Sequence, residues 1–154
     1  MECGVSVRTN IAQFLATGVL ILIAQLSLAD EAVVLVTSEN SSFEDISSLD
    51  IRKAYLGISV TIDGQIIRPI RRGDDERLDR VFLQSVMAMS HRSYERRLLS
   101  LVLKFGTPRP AEVDERDDLM KLLFDRPNSI SYMWKSDAES DPRVKTIKVL
   151  WQET

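Results

Sequence analysis

The sequence predicts an α/β domain with a mixed, mostly parallel sheet flanked by helices. Three observations carry that reading. Residues 32–36 (Ala-Val-Val-Leu-Val) form a short, continuous, β-branched apolar run, as in strands covered on both faces. Downstream, short apolar runs alternate with stretches whose apolar residues recur at helical spacing. Between them, a strand ending in Pro69-Ile70-Arg71-Arg72 passes through Gly73-Asp74-Asp75 into an amphipathic segment. A polar loop between a strand end and a helix start is where α/β proteins hold anions and small ligands.

The N-terminal segment reads as a targeting signal outside the fold. Residues 11–28 are nearly all apolar and uncharged, and Ser27-Leu28-Ala29 sets small residues at minus three and minus one before Asp30, the pattern of a signal-peptidase site. The expectation is therefore a signal peptide over residues 1–29, one domain over 30–154, and a periplasmic or secreted protein. The alternative is an N-terminal membrane anchor, because the apolar run approaches the length of a bilayer span. The single cysteine, Cys3, precedes the apolar run, whereas a lipid-bearing cysteine would follow it. A cleaved chain would hold no cysteine and rely on its core alone. About 125 residues would remain, the usual size of one domain.

Taken in order, the first strand ends in a polar loop, Thr37-Ser38-Glu39-Asn40-Ser41-Ser42. Ser47 or Ser48 caps a helix with Asp50 in its first turn and Ile51, Ala54 and Tyr55 on its buried face. Gly57 stops it. Residues 60–67 read as a hairpin around Asp63-Gly64, a favoured type I′ pair, whose second arm continues through Ile70. Leu78, Val81, Phe82, Ser85, Val86 and Met89 follow at helical spacing. Ser90 caps a further helix with Tyr94, Leu98, Leu101, Val102 and Phe105 on its apolar face, stopped at Gly106-Thr107-Pro108. Pro108, Pro110 and the acidic run from Glu112 to Asp118 read as a solvated connection. Asp114 or a neighbour caps a helix bearing Leu119, Leu122 and Leu123, which Pro127-Asn128 ends. Residues 129–134 read as a strand and 137–141 as a polar loop. Residues 144–151 suit a half-exposed edge strand, with Ile147, Val149 and Trp151 alternating against polar neighbours.

Composition narrows the function. A net charge of −3 argues against nucleic acid, which needs a concentrated basic surface. No metal, nucleotide or nucleophile motif is present, no cofactor is implied, and the acidic run at 114–118 lacks the spaced oxygens and glycine of a calcium loop. The only histidine, His91, reads as a residue of an exposed first helical turn. These readings point away from an enzyme.

Several segments in one order carry a resemblance. Ser48-Leu49-Asp50-Ile51-Arg52-Lys53-Ala54-Tyr55-Leu56-Gly57 is similar to a serine-leucine, then aromatic-x-glycine helix. Asp63-Gly64 precedes a strand with Pro69-Ile70. Phe82 through Ser90 is similar to a phenylalanine helix followed by a methionine-serine turn, and Pro127-Asn128-Ser129-Ile130-Ser131-Tyr132-Met133 to a proline-glycine-x-isoleucine-glycine-tyrosine strand with serine at both glycine positions. In this order they resemble one lobe of the phosphate ABC transporter substrate-binding proteins, the type II periplasmic binding fold. The resemblance implies a solute-binding-like protein for a small anion such as phosphate, or a sensor or adaptor for a membrane transporter or sensor protein. The ligand loop departs from the family's arginine, then serine-glycine-threonine, pattern: Arg72 takes the arginine position, but Glu76, Arg77 and Leu78 fall where the hydroxyls and glycine would be. A glutamate there complements the helix dipole and repels an anion. The alternative is an interaction module that kept the fold and lost the phosphate site.

The candidate anion site comprises Ser38, Asn40, Ser41, Arg71, Arg72 and Asp74. The arginines supply guanidinium forks, and the serines and asparagine supply donors at the end of the first strand. Against this stand arginines paired to Asp74, Asp75, Glu76 and Asp79 on a solvated face, and hydroxyls spent on their own turn.

Overall fold

The structure, a computed structural model, describes residues 31–153; residues 1–29, read above as a signal peptide, lie outside the described residues. Strand β1 (Ala32–Ser38) is buried along its whole length. Its alternation sends Val33 and Leu35 into one core and Val34 and Val36 into another, so the sheet is covered on both faces. The first core holds Tyr55 of α1 (Ser48–Tyr55), Phe82 of α2 (Glu76–Ser85) and Tyr94 and Leu98 of α3 (His91–Phe105). The second holds Leu119 and Leu123 of α4 (Arg116–Asp125) and Ala138 of α5 (Lys135–Ser140). Each fully buried aliphatic side chain contributes about 1.5–3 kcal/mol of transfer free energy.

The main sheet has five strands in the order β5 (Ala111–Val113), β4 (Arg68–Arg72), β6 (Ser129–Trp134), β1, β7 (Val144–Gln152). β4 runs parallel to β5 and β6, whereas β1 runs antiparallel to β6 and β7. The sheet is thus mixed, with only β1 reversed. A separate hairpin pairs β2 (Thr61–Ile62) with β3 (Gln65–Ile66). Asp63 and Gly64 both take positive φ, 51° and 79°, as a type I′ turn requires.

The caps follow the sequence. Ser47, Asp75 and Ser90 accept N–H bonds from Asp50, Leu78 and Ser93 at the starts of α1, α2 and α3, and Gly106 closes α3 in the left-handed conformation. Gly57 sits past α1 at φ 77°, where an added Cβ would fall on the Pro108 carbonyl oxygen.

Other expectations are corrected. The second hairpin arm is not one strand through Ile70: β3 ends at Ile66, and β4 starts afresh in the main sheet. The connection after Pro110 contains β5, because Ala111–Val113 finds an open partner edge on β4. Residues 137–141 lie largely in α5 rather than a loop. Phe105 is 74% exposed despite its place on the apolar face of α3, and Val149 is exposed on β7. The pairing of β1 with β7 skips Ile147 and Leu150, and both pack against the first core with Trp151. Two bulges therefore replace strict alternation.

Candidate functional site

The carboxyl end of β4 and the starts of α2 and α3 enclose a cleft of about 560 Å³. Arg71, Arg72 and Gly73 line it from β4, Glu76, Asp79 and Arg80 from α2, and Ser90 and His91 from α3. Tyr132 of β6 supports this end from below. Its ring stacks on Phe82 at 3.9 Å, nearly coplanar. Its hydroxyl donates to Asp79 Oδ1 at 2.7 Å and accepts the Arg72 N–H at 3.3 Å. Burial pushes the Tyr132 phenol well above its ordinary pKa, so it stays a donor.

Arg71 is almost wholly buried and held by three carboxylates. Nη2 reaches Asp79 at 3.3 Å, and Nη1 reaches Glu95 at 2.9 Å and Glu112 at 3.2 Å. Its guanidinium carbon lies 4.8 Å from the Tyr94 ring centre, within cation–π range. Burial acts to lower the Arg71 pKa, but Asp79 and its other neighbours outweigh it and the net shift is upward. Arg72 is clamped by Asp74, Nε to Oδ1 at 2.6 Å and Nη2 to Oδ2 at 2.5 Å, while its buried Nη1 has no partner. Asp75 caps α2 and accepts the Trp134 indole N–H at 2.9 Å. His91 is exposed, as read from sequence, with Nδ1 at 3.2 Å from Asp79.

The sequence-predicted residues do not form one constellation. Because β1 runs antiparallel to β6, Thr37 lies across from Ile130, which lies across from Pro69. Ser38, Asn40 and Ser41 therefore sit near the amino end of β4. Arg71, Arg72 and Asp74 sit at its carboxyl end, about four residues or roughly 13 Å further along. The structure brings Arg71, Arg72 and Asp74 together and leaves the serine loop apart. Within that loop Ser38 is spent on its own turn: Ser38 Oγ accepts the Asn40 N–H at 3.3 Å, and the Ser41 N–H bonds the Ser38 carbonyl. Ser41 Oγ is buried without a partner.

Sequence reasoning missed Glu95, Glu112 and Tyr132 at this end. Glu95 lay on a helix read only for its apolar face of Tyr94, Leu98, Leu101, Val102 and Phe105, and Glu112 in a segment read as a solvated connection, so no local signal placed either beside Arg71. Among the described residues no cluster of acidic, histidine or cysteine side chains is arranged to hold a metal ion.

No family model and no curated protein matches the chain. Solved structures do. A Clostridium perfringens protein described as a phosphate ABC transporter substrate-binding protein, solved with bound phosphate, aligns at a TM-score of 0.58 and 20% identity, over 77% of this chain and 44% of its own. An ABC-type phosphate transport receptor from Vibrio cholerae aligns at 0.57 and 14% identity, over 79% and 47%. PstS from Borrelia burgdorferi aligns at 0.56 and 15% identity, over 78% and 47%. The chain has the fold of one lobe of a type II periplasmic binding protein. It spans about half the length of these solved chains, and the likeness at such identity is one of fold. Among the described residues no helix is long and apolar enough to cross a membrane.

Proposed function

We propose that this chain is a non-enzymatic solute-binding-type protein, exported through the signal peptide of residues 1–29, that holds a small oxyanion such as phosphate weakly at the β4–α2 cleft and serves a transporter or sensor in the membrane. The observation that supports it is the cleft at the carboxyl end of β4, where open α/β sheets take ligands, with buried Arg72 holding a free Nη1 and Arg80 beside it. The fold shared with the phosphate receptors points the same way. Weakness follows from the charge balance. Glu76, Asp79 and Glu112 share the lining with the arginines, Asp74 already occupies two of the Arg72 donors, and Glu76 stands in the first turn of α2.

A second reading has its own observation. Arg71 and Arg72 are both internally neutralised, and α3 carries Leu99, Leu103 and Phe105 exposed. An interaction module that kept the fold and lost the anion would look like this. Calorimetric titration of the purified protein with phosphate, and with sulfate as control, separates the two. Saturable heat near millimolar phosphate, abolished by R72A, supports the solute-binding reading. Absence of heat up to about 10 mM, an interaction worth less than roughly 3 kcal/mol, sinks it and leaves the partner-surface reading.

A further inference from the structure

A second concavity, of about 340 Å³, opens at the other end of β4, between the end of α1, the β2–β3 hairpin and the segment that leads into β5. Its chemistry differs from that of the first. Ile58, Ile66, Ile67 and Pro69 line it, with Pro108 and Pro110 on the far side. Three arginines line it as well, Arg68, Arg109 and Arg126, and no acidic residue does. Arg109 is ion-paired with Glu95. Among the described residues the Arg68 and Arg126 side chains, both exposed, make no hydrogen bond or ion pair. In a chain of net charge −3, two uncompensated guanidinium groups on one concavity are a local excess of positive charge without the carboxylates that fill the first cleft.

The walls are held in place before any ligand arrives. The left-handed Gly57 lets the α1 terminus pack directly on the Pro108 carbonyl. The Arg68 N–H bonds the Asn128 carbonyl at 3.1 Å, and the Asn128 side chain donates to the Ile66 carbonyl, tying the hairpin to the end of β4. The volume falls at the lower end of small-molecule sites, which are concave, mostly apolar and carry a few convergent polar groups. An inorganic anion would use the arginines and leave the apolar lining wet, with Ile58 41% and Ile66 53% exposed. A neutral apolar molecule would leave two guanidinium groups without a partner. Only a ligand with both parts uses the whole surface.

We propose that this pocket binds a small apolar carboxylate, with its hydrocarbon body on Ile58, Ile66 and Ile67 and its carboxylate on Arg68 and Arg126. Guanidinium groups pair with carboxylates in forked geometry and with a charge-assisted strength that neutral donors lack. The site is independent of the oxyanion reading of the first cleft, and the two fail separately.

The test uses the full chain with isoleucine methyls labelled for NMR, titrated with 3-phenylpropionate and with 3-phenylpropan-1-ol as the uncharged control. The expected result is movement of the Ile58, Ile66 and Ile67 methyls, while the deeply buried Ile51 methyl stays still as a control for the fold. The acid should bind about tenfold tighter than the alcohol, and added salt should narrow the gap. The double variant R68A/R126A changes two exposed residues and leaves the core intact, and it should bind the acid no better than the alcohol. Equal affinity for acid and alcohol in the unaltered protein would overturn the proposal. So would unchanged acid binding by the double variant, or displacement of the acid by equimolar phosphate, which would show that the anionic head alone suffices.

Discussion

Replacing Arg71 by methionine tests whether this residue is a structural hub or a ligand-binding group. The side chain is 3% exposed and sits among Asp79, Glu95 and Glu112 at 3.3, 2.9 and 3.2 Å. Glu95 and Glu112 are 32% and 47% exposed and can rehydrate, so their loss of a partner costs little. Asp79 is different. It is 11% exposed, and R71M would leave it with only the Tyr132 hydroxyl and the His91 ring. Stranding one member of a buried ion pair costs about 3–5 kcal/mol, and losing the contact with the Tyr94 ring adds to that. At roughly 3–5 °C per kcal/mol for a domain of this size, R71M should lower the melting temperature by about 10–25 °C, read by circular dichroism. The double variant R71M/D79N should be less destabilised than the sum of its single changes, because the stranded charge is gone. A loss below about 3 °C would refute the hub argument and return Arg71 to the pool of ligand-binding groups.

Two further outcomes follow from the fold. G57A should destabilise the domain by at least about 1–2 kcal/mol in urea unfolding, because a left-handed φ of 77° and the Pro108 carbonyl both oppose a Cβ. An unchanged midpoint would show that the loop has room to yield. Asp141 is 7% exposed, and hydrogen bonds from Arg143 hold its carboxyl well below the usual carboxylate range, against burial that acts to raise it. A group depressed in the folded state stabilises above its ordinary pKa, near 4, and loses that contribution as pH falls toward the folded value. D141N should therefore flatten the dependence of stability on pH below about 4, and an acid limb as steep as that of the unaltered protein would count against this assignment.

The sequence determined whatever depends on neighbours along the chain. Ser47, Asp75 and Ser90 cap helices because a short oxygen-bearing side chain reaches an N–H two or three residues on, wherever the helix lies. Asp63-Gly64 turns a hairpin because these residue types tolerate positive φ, and residues 32–36 form a doubly covered strand because no polar side chain interrupts them. The order of these pieces was also enough to suggest one lobe of the binding-protein fold. What depends on the direction of a strand or on distant partners was not legible. An apolar run reads the same in either direction, so nothing local showed that β1 runs against its neighbours, and that one reversal separates Ser38, Asn40 and Ser41 from Arg71, Arg72 and Asp74. The short β5 exists only because β4 offers it an edge, and the bulges that turn Ile147 and Leu150 inward exist only in register with β1. The fate of the arginines was decided the same way. Asp74, two residues from Arg72, was within reach of sequence reasoning, but the Glu95 and Glu112 that neutralise Arg71 come from elements 24 and 41 residues away. Whether a guanidinium is free for a ligand depends on which carboxylates the tertiary fold delivers to it, and only the three-dimensional packing of β4, α3 and β5 settles that.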